Sequence, residues 1–144
     1  MVRNATLATL GLFMISCSVS SPTSVPVLVV SAVSLSAAPN PVTATPSGDP
    51  NFPNHAQWTL TITEKNGVGC NVRAMFVSAA GVQFHFMSTP EAFTHIAANA
   101  SIKVPVAVTY SLSGRQVTFF EDVRVTDDHG NNFDAQDTVD VHAF

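Results

Sequence analysis

From Ile102 to Leu112 every second residue carries a large apolar side chain or an aromatic ring. Ile102, Val104, Val106, Val108, Tyr110 and Leu112 alternate with Lys103, Pro105, Ala107, Thr109 and Ser111. Successive side chains of an extended chain point to opposite faces, so a period of two sustained over this length specifies a strand with one buried face. The same period returns at Gln57–Thr63, where Trp58, Leu60 and Ile62 alternate with threonines. It returns again at Cys70–Val77, with Cys70, Val72, Ala74 and Phe76 on one face and Asn71, Arg73, Met75 and Val77 on the other. Val117–Thr126 and Phe133–Phe144 complete the pattern, the latter through Val139 and Val141 set against Asp140 and His142.

Turn residues punctuate these segments. Glu64-Lys65-Asn66-Gly67 predicts a hairpin between the Gln57 and Cys70 segments, because Asn-Gly tolerates positive φ and matches hairpin twist. Residues 46–55 read as a loop, and Asp127-Asp128-His129-Gly130-Asn131-Asn132 reads as a turn. Val25–Thr45 holds a first strand that breaks at Pro39 and Pro41, which places it at a sheet edge, and Pro105 predicts a second edge or a bulge. Residues 79–100 are less regular: Val82, Phe84 and Phe86 alternate with Gln83 and His85 before Pro90, and Glu91–Ala98 suits a helical turn. With no long amphipathic helix and about seven short strands, the predicted fold is an all-β, antiparallel immunoglobulin-like β-sandwich. Its expected core is Trp58, Leu60, Ile62, Val72, Phe76, Val104, Val106, Val108, Val139 and Val141.

The N-terminus follows other rules. Residues 1–16 open with Arg3 and continue as an apolar run from Ala5 to Ile15, too short to span a bilayer and suited to a signal peptide. The run ends Met14-Ile15-Ser16-Cys17, which resembles the lipobox of bacterial lipoproteins; the resemblance implies lipidation of Cys17, and Ser18 beside it implies sorting to an outer membrane. Ordinary cleavage nearby, giving a periplasmic or secreted protein, and retention of the segment are the alternatives. Residues 17–32 form a tether and lead-in, Ser-rich at first, and 33–144 form the sandwich. Lipidation would consume one of two cysteines and leave Cys70 a buried free thiol; an unmodified Cys17 leaves a bridge between the two open.

Charge narrows the function classes. The chain has six Lys and Arg against ten Asp and Glu, and a net charge of -4. Loss of residues 1–16 also removes Arg3, and Lys65, Arg73, Lys103, Arg115 and Arg124 are scattered, so no nucleic-acid partner is expected. His55, His85, His95, His129 and His142 form no dense ligand motif, and no metal or other cofactor is expected. His85 and Met87 with Met75 and Cys70 have the ligand types of a copper site, but blue-copper domains gather Cys, His and Met in one loop and this chain does not. The Asp127–Asn132 run lacks the alternation and terminal Glu of an EF-hand. There is no Gly-x-Ser-x-Gly elbow, and Glu121 and Asp122, adjacent in a strand, point to opposite faces, so no enzyme is expected.

Three segments together resemble bacterial immunoglobulin-like and fibronectin-type-III-like surface modules. They are Ala-Pro-Asn-Pro-Val at 38–42, Thr63–Val68, and Val123–Asn131. The resemblance covers about residues 33–144 and implies a non-catalytic adhesion, spacer or assembly module, with no functional residue carried over. The expected function is an envelope-associated protein-interaction domain, held to the membrane by a lipid anchor, whose partner is an unspecified protein or envelope component. The alternative is a carbohydrate-binding module, for which Trp58, Phe84, Phe86, Phe93 and Phe120 are the candidate rings; Trp58 is expected to pack inside, and Phe84 and Phe86 are the sugar platforms to test.

Overall fold

The computed structural model describes residues 28–88, 94–112, 114 and 116–143; the segment expected to be a signal peptide, Cys17 and the expected tether as far as residue 27 lie outside the described residues. The strands are β1 (Val33–Ala38), β2 (Val42–Thr43), β3 (Thr45–Pro46), β4 (Asn54–Glu64), β5 (Cys70–Ser78), β6 (Gln83–Ser88), β7 (His95–Ile96), β8 (Ser101–Ser111), β9 (Gln116–Asp127) and β10 (Asn132–His142). One sheet runs β1-β4-β8-β6, with β3 also on β4; the other runs β2-β10-β9-β5-β7. Setting aside the two-residue strands β2, β3 and β7, the orders become A-B-E-D and G-F-C, the constant-type immunoglobulin sandwich. All pairings are antiparallel except that of β2 with β10, where Val42 lies beside Val141.

Alternation is what builds the core. Inward positions of β4, β8, β9 and β10 interleave as Trp58, Leu60, Ile62, Val104, Val106, Val108, Phe119, Val123, Val139 and Val141, all buried. Phe119 is the hub of the aromatic packing: its ring centroid lies 5.8 Å from Trp58, 5.5 Å from Phe84 and 5.6 Å from Tyr110, the last two edge-on. The chain crosses between sheets after β1, where the Asn40 amide stands in for a ladder residue. Its Nδ2 donates to the Thr138 carbonyl at 2.9 Å and its Oδ1 accepts from Asp140 N at 3.1 Å.

Four local expectations are corrected. The Gln57 and Cys70 segments do not form a hairpin; β4 and β5 lie in opposite sheets. The corner between them is organised by the buried Glu64 carboxylate, which accepts from the amides of Asn66 and Gly67 and turns the chain across instead of back. Phe76 is not a core residue, because a bulge between Val72 and Ala74 shifts the register by one position, turning Met75 inward and Phe76 outward. Pro105 sits in β8, an inner strand of its sheet between β4 and β6, where it lies opposite Thr59 and not at a sheet edge. Within Glu91–Ala98, residues 91–93 lie outside the described residues, and His95–Ile96 form β7 on β5 rather than a helical turn. The prolines at 39 and 41 follow a true edge strand, as expected of β1.

Candidate functional site

Strand β9 decides what each face of its sheet presents. Val117, Phe119, Glu121, Val123, Val125 and Asp127 are buried, so Thr118, Phe120, Asp122, Arg124 and Thr126 point away from the core. The pairing sets Ser78, Phe120 and Thr138 in one row across β5, β9 and β10, and Phe76, Asp122 and Gln136 in a second. Between the two rows lies a hollow of about 460 Å³ whose floor is the Glu121–Asp137 pair, with both of those side chains on the inward alternation. Phe120 is 50% exposed and Phe76 48%, diagonal to each other; among the described residues no other Phe, Tyr or Trp is exposed. The Arg124 guanidinium lies 4.9 Å from the Phe76 ring centre and its Nε is 4.0 Å from Asp134. Gln136 Nε2 donates to Asp122 Oδ2 at 3.2 Å, while Asp122 Oδ1 is buried with no hydrogen-bond partner among the described residues.

On the inner side of the same strand, Glu121 is 1% exposed and accepts a 2.7 Å hydrogen bond from Trp58 Nε1 of the opposite sheet. This bond joins strands B and F, which antibody domains join with a disulfide. Glu121 Oε2 has no partner among the described residues. Burial pushes the carboxyl up to about 7; the indole N–H works against the shift and the charge of Asp137 adds to it.

Two further buried acids sit at the opposite end of the sandwich, and both are structural. Glu64 accepts from Asn66 N at 2.8 Å, Gly67 N at 3.0 Å, Asn99 N at 2.8 Å and Ser31 Oγ at 3.2 Å. Burial alone would raise its carboxyl, but the amides of Asn99, Asn66, Gly67 and Val68 outweigh it and hold the group at about 2. Asp127 closes the β9–β10 turn by accepting from His129 N and from Asn131 N and Nδ2. The Asn131 side chain is the main reason its carboxyl lies below the usual range. Ser31 joins the two acids, donating Oγ to Glu64 and N to Asp127 at 3.4 Å, so the lead-in is tied to the sandwich just upstream of β1.

A pH dependence follows for Glu64. Its folded-state value is depressed, so its contribution is complete above about pH 4.5 and is lost as the pH falls toward 2. Glu64→Gln should cost about 1–3 kcal/mol near neutrality and flatten the acid limb, as read by urea denaturation across that range. An unchanged acid limb in the variant would assign the limb to other carboxylates.

Other residues singled out from sequence fall as follows. Phe84 and Phe86 lie on the inward face of β6, partly buried against the core, with Phe84 edge-on to Phe119. Cys17 lies outside the described residues, and Cys70 is a buried free thiol that burial pushes up. The copper-type set does not converge: Cys70 and Met75 face the core of one sheet, and His85 is exposed on the other, its ring 4.1 Å from that of Phe52. His95 Nε2 is 3.0 Å from Asp128 at the surface and His55 meets Thr45. Among the described residues no three of His, Cys, Asp and Glu are placed to share a metal ion. Phe120, one of the candidate rings, is exposed as a platform would be, but sequence reasoning missed its neighbour, because without the bulge the pattern put Phe76 inside.

No family model and no curated protein matches the chain. Among solved structures, the Northeast Structural Genomics Consortium target SoR45 is similar at 12% identity and a TM-score of 0.44, over 78% of this chain and 86% of that one. The ASH/PapD-like domain 7 of human CEP192 is similar at 12% identity and a TM-score of 0.43, over 90% of this chain and 95% of that one. The sandwich is defined by its own strand order, without appeal to either.

Proposed function

We propose that this chain is a non-enzymatic, exported immunoglobulin-like domain that binds another protein through the outer face of β5, β9 and β10, and that lipid on Cys17 holds it at the cell envelope. The supporting observation is the side-by-side exposure of Phe76 and Phe120 on an otherwise polar sheet face. Two half-exposed rings flanked by polar groups have the make-up of a small interface core with a polar rim. Export and anchoring rest on the Met14–Cys17 resemblance and the apolar run before it. Phe84 and Phe86, the rings put first for the glycan alternative, are turned toward the core, which leaves Phe120 as its exposed candidate.

One cellular experiment tests both halves. The full chain is expressed in a bacterium with two membranes, fed an alkynyl fatty acid, and carries a photocrosslinker at Thr138 or, as a control, at Ser36 of β1. The expected result is fatty-acid label and membrane fractionation that Cys17→Ser abolishes, together with a crosslinked protein seen from position 138 only. The crosslink should disappear in the double variant Phe76→Ser/Phe120→Ser. An unlabelled wild type overturns the anchor, and equal crosslinking from both positions or from the double variant overturns the binding face.

A further inference from the structure

We propose that the hollow beside Phe120 receives an arginine side chain presented by the partner protein, its guanidinium stacked on the Phe120 ring and hydrogen-bonded to the Asp122 carboxylate, which rotates to bring its unpartnered Oδ1 out of its shielded position into the hollow. This rests on the protein-binding reading above and specifies the chemistry of the partner's contact. The first observation is the state of Asp122. One carboxylate oxygen takes the Gln136 amide and the other is shielded from solvent with no donor among the described residues. Such an oxygen is costly to leave unpaired and is satisfied by a donor, best by a charged one. An apolar or acidic occupant leaves it worse off than before.

The second observation is the ring beside it. Phe120 offers a half-exposed π-face at the rim of the same hollow, and arginine stacks on such faces while keeping its N–H groups free for a carboxylate. The third is that the sheet already makes this arrangement once with its own residues. Arg124 lies over Phe76 and reaches toward Asp134, combining ring, guanidinium and carboxylate. At Phe120 the ring and the carboxylate are repeated, and the lining of the hollow contains no Lys or Arg. Charge points the same way: Asp122 lines the hollow, Asp137 lies beneath it and the chain as a whole carries -4, so a cation is drawn in and an anion repelled. The hydroxyls of Ser78 and Thr138 edge the space that the arginine stem would cross.

The test uses amide NMR of the full chain with Cys17→Ser, titrated with N-acetyl-arginine methylamide, with its neutral citrulline counterpart, and with maltohexaose. The expected result is shifts at Ser78, Phe120–Asp122 and Gln136–Thr138 from the arginine probe alone, with a dissociation constant on the order of millimolar, as suits a single side chain. Asp122→Asn and Phe120→Leu should each weaken it by about fivefold or more while the rest of the spectrum stays native. Equal shifts from citrulline, shifts from maltohexaose instead, or Asp122→Asn binding as wild type does would each overturn the proposal, the maltohexaose result in favour of a glycan. If the Thr138 crosslink persists in Asp122→Asn but is lost in Phe76→Ser/Phe120→Ser, the arginine site falls and the protein-binding face stands. If there is no face-specific crosslink at all, both fall.

Discussion

Truncating Trp58 to alanine should lower the stability of the domain by about 4 kcal/mol, a large part of what a domain of this size has. Two losses combine. The indole is 2% exposed and packs on Phe119 at 5.8 Å, so its removal leaves a cavity between sheets that cannot close around it. It also strips Glu121 of its only hydrogen-bond donor among the described residues. Trp58→Phe separates the terms, because it retains most of the volume and removes the N–H. It should cost about half as much and raise the Glu121 carboxyl further. Equilibrium urea unfolding of the three proteins at one pH reads the difference. A cost for Trp58→Ala below about 1 kcal/mol, the level of a surface substitution, would mean that the inter-sheet packing does not carry the fold.

The other large effect belongs to Glu121 and has the opposite sign. Its carboxyl is raised from 4.5 to about 7 in the folded protein, so the folded chain keeps a proton that the unfolded chain gives up between those values. Its contribution to stability is therefore full below about pH 4.5, is lost as the pH rises through about 7, and stays lost above. Glu121→Gln keeps an oxygen for the Trp58 indole, carries no charge and offers N–H groups in the direction of Asp137. At about 1.4 kcal/mol per pK unit, the variant should exceed the wild type by roughly 3 kcal/mol at pH 8 and match it near pH 4. Denaturation midpoints of both proteins across this range give the test, and parallel pH profiles for the two would refute the assignment. Together Glu64 and Glu121 confine the stability maximum to mildly acidic pH, one acid lost below it and the other ionised above it.

Legibility in the sequence was uneven for physical reasons. Strands with unbroken alternation, Gln57–Thr63 and Ile102–Leu112, declared both their existence and their buried face, since period two leaves one choice of face, whereas Val117–Thr126, interrupted by Glu121-Asp122, declared its existence alone. Pairing was another matter. Asn66-Gly67 suits a hairpin, but the Glu64 carboxylate, bonded locally to Asn66 and Gly67 and at long range to Ser31 and Asn99, holds a corner that carries the chain across to the other sheet. The bulge before Ala74 is one residue of slip, invisible in composition, yet it exchanged Met75 for Phe76 in the core and thereby made the exposed aromatic face. The candidate site was legible only in half for that reason: Phe120 is among the rings the sequence offers as a platform, while the alternation puts Phe76 in the core. Glu121 was weighed as a catalytic acid and set aside because Asp122 faces the other way. Its actual partner, Trp58, lies 63 positions away in sequence.

The pairing of β2 with β10 has a mechanical consequence. The two strands run parallel, with Val42 beside Val141 and Thr43 beside His142. The chain entering β2 and the chain leaving β10 therefore depart from opposite ends of the pair. Tension applied through the flanking chain loads both residue pairs in shear at once and does not peel them one by one. The Asn40 side chain, bonded to Thr138 and Asp140 next along β10, lies in the same line of load. In a domain serving as a stretched link, load from the N-terminal side passes through the Ser31 ties and the β1–β4 ladder before it reaches this clamp, and the Trp58–Glu121 tie behind it, being a hydrogen bond, re-forms when the load is released.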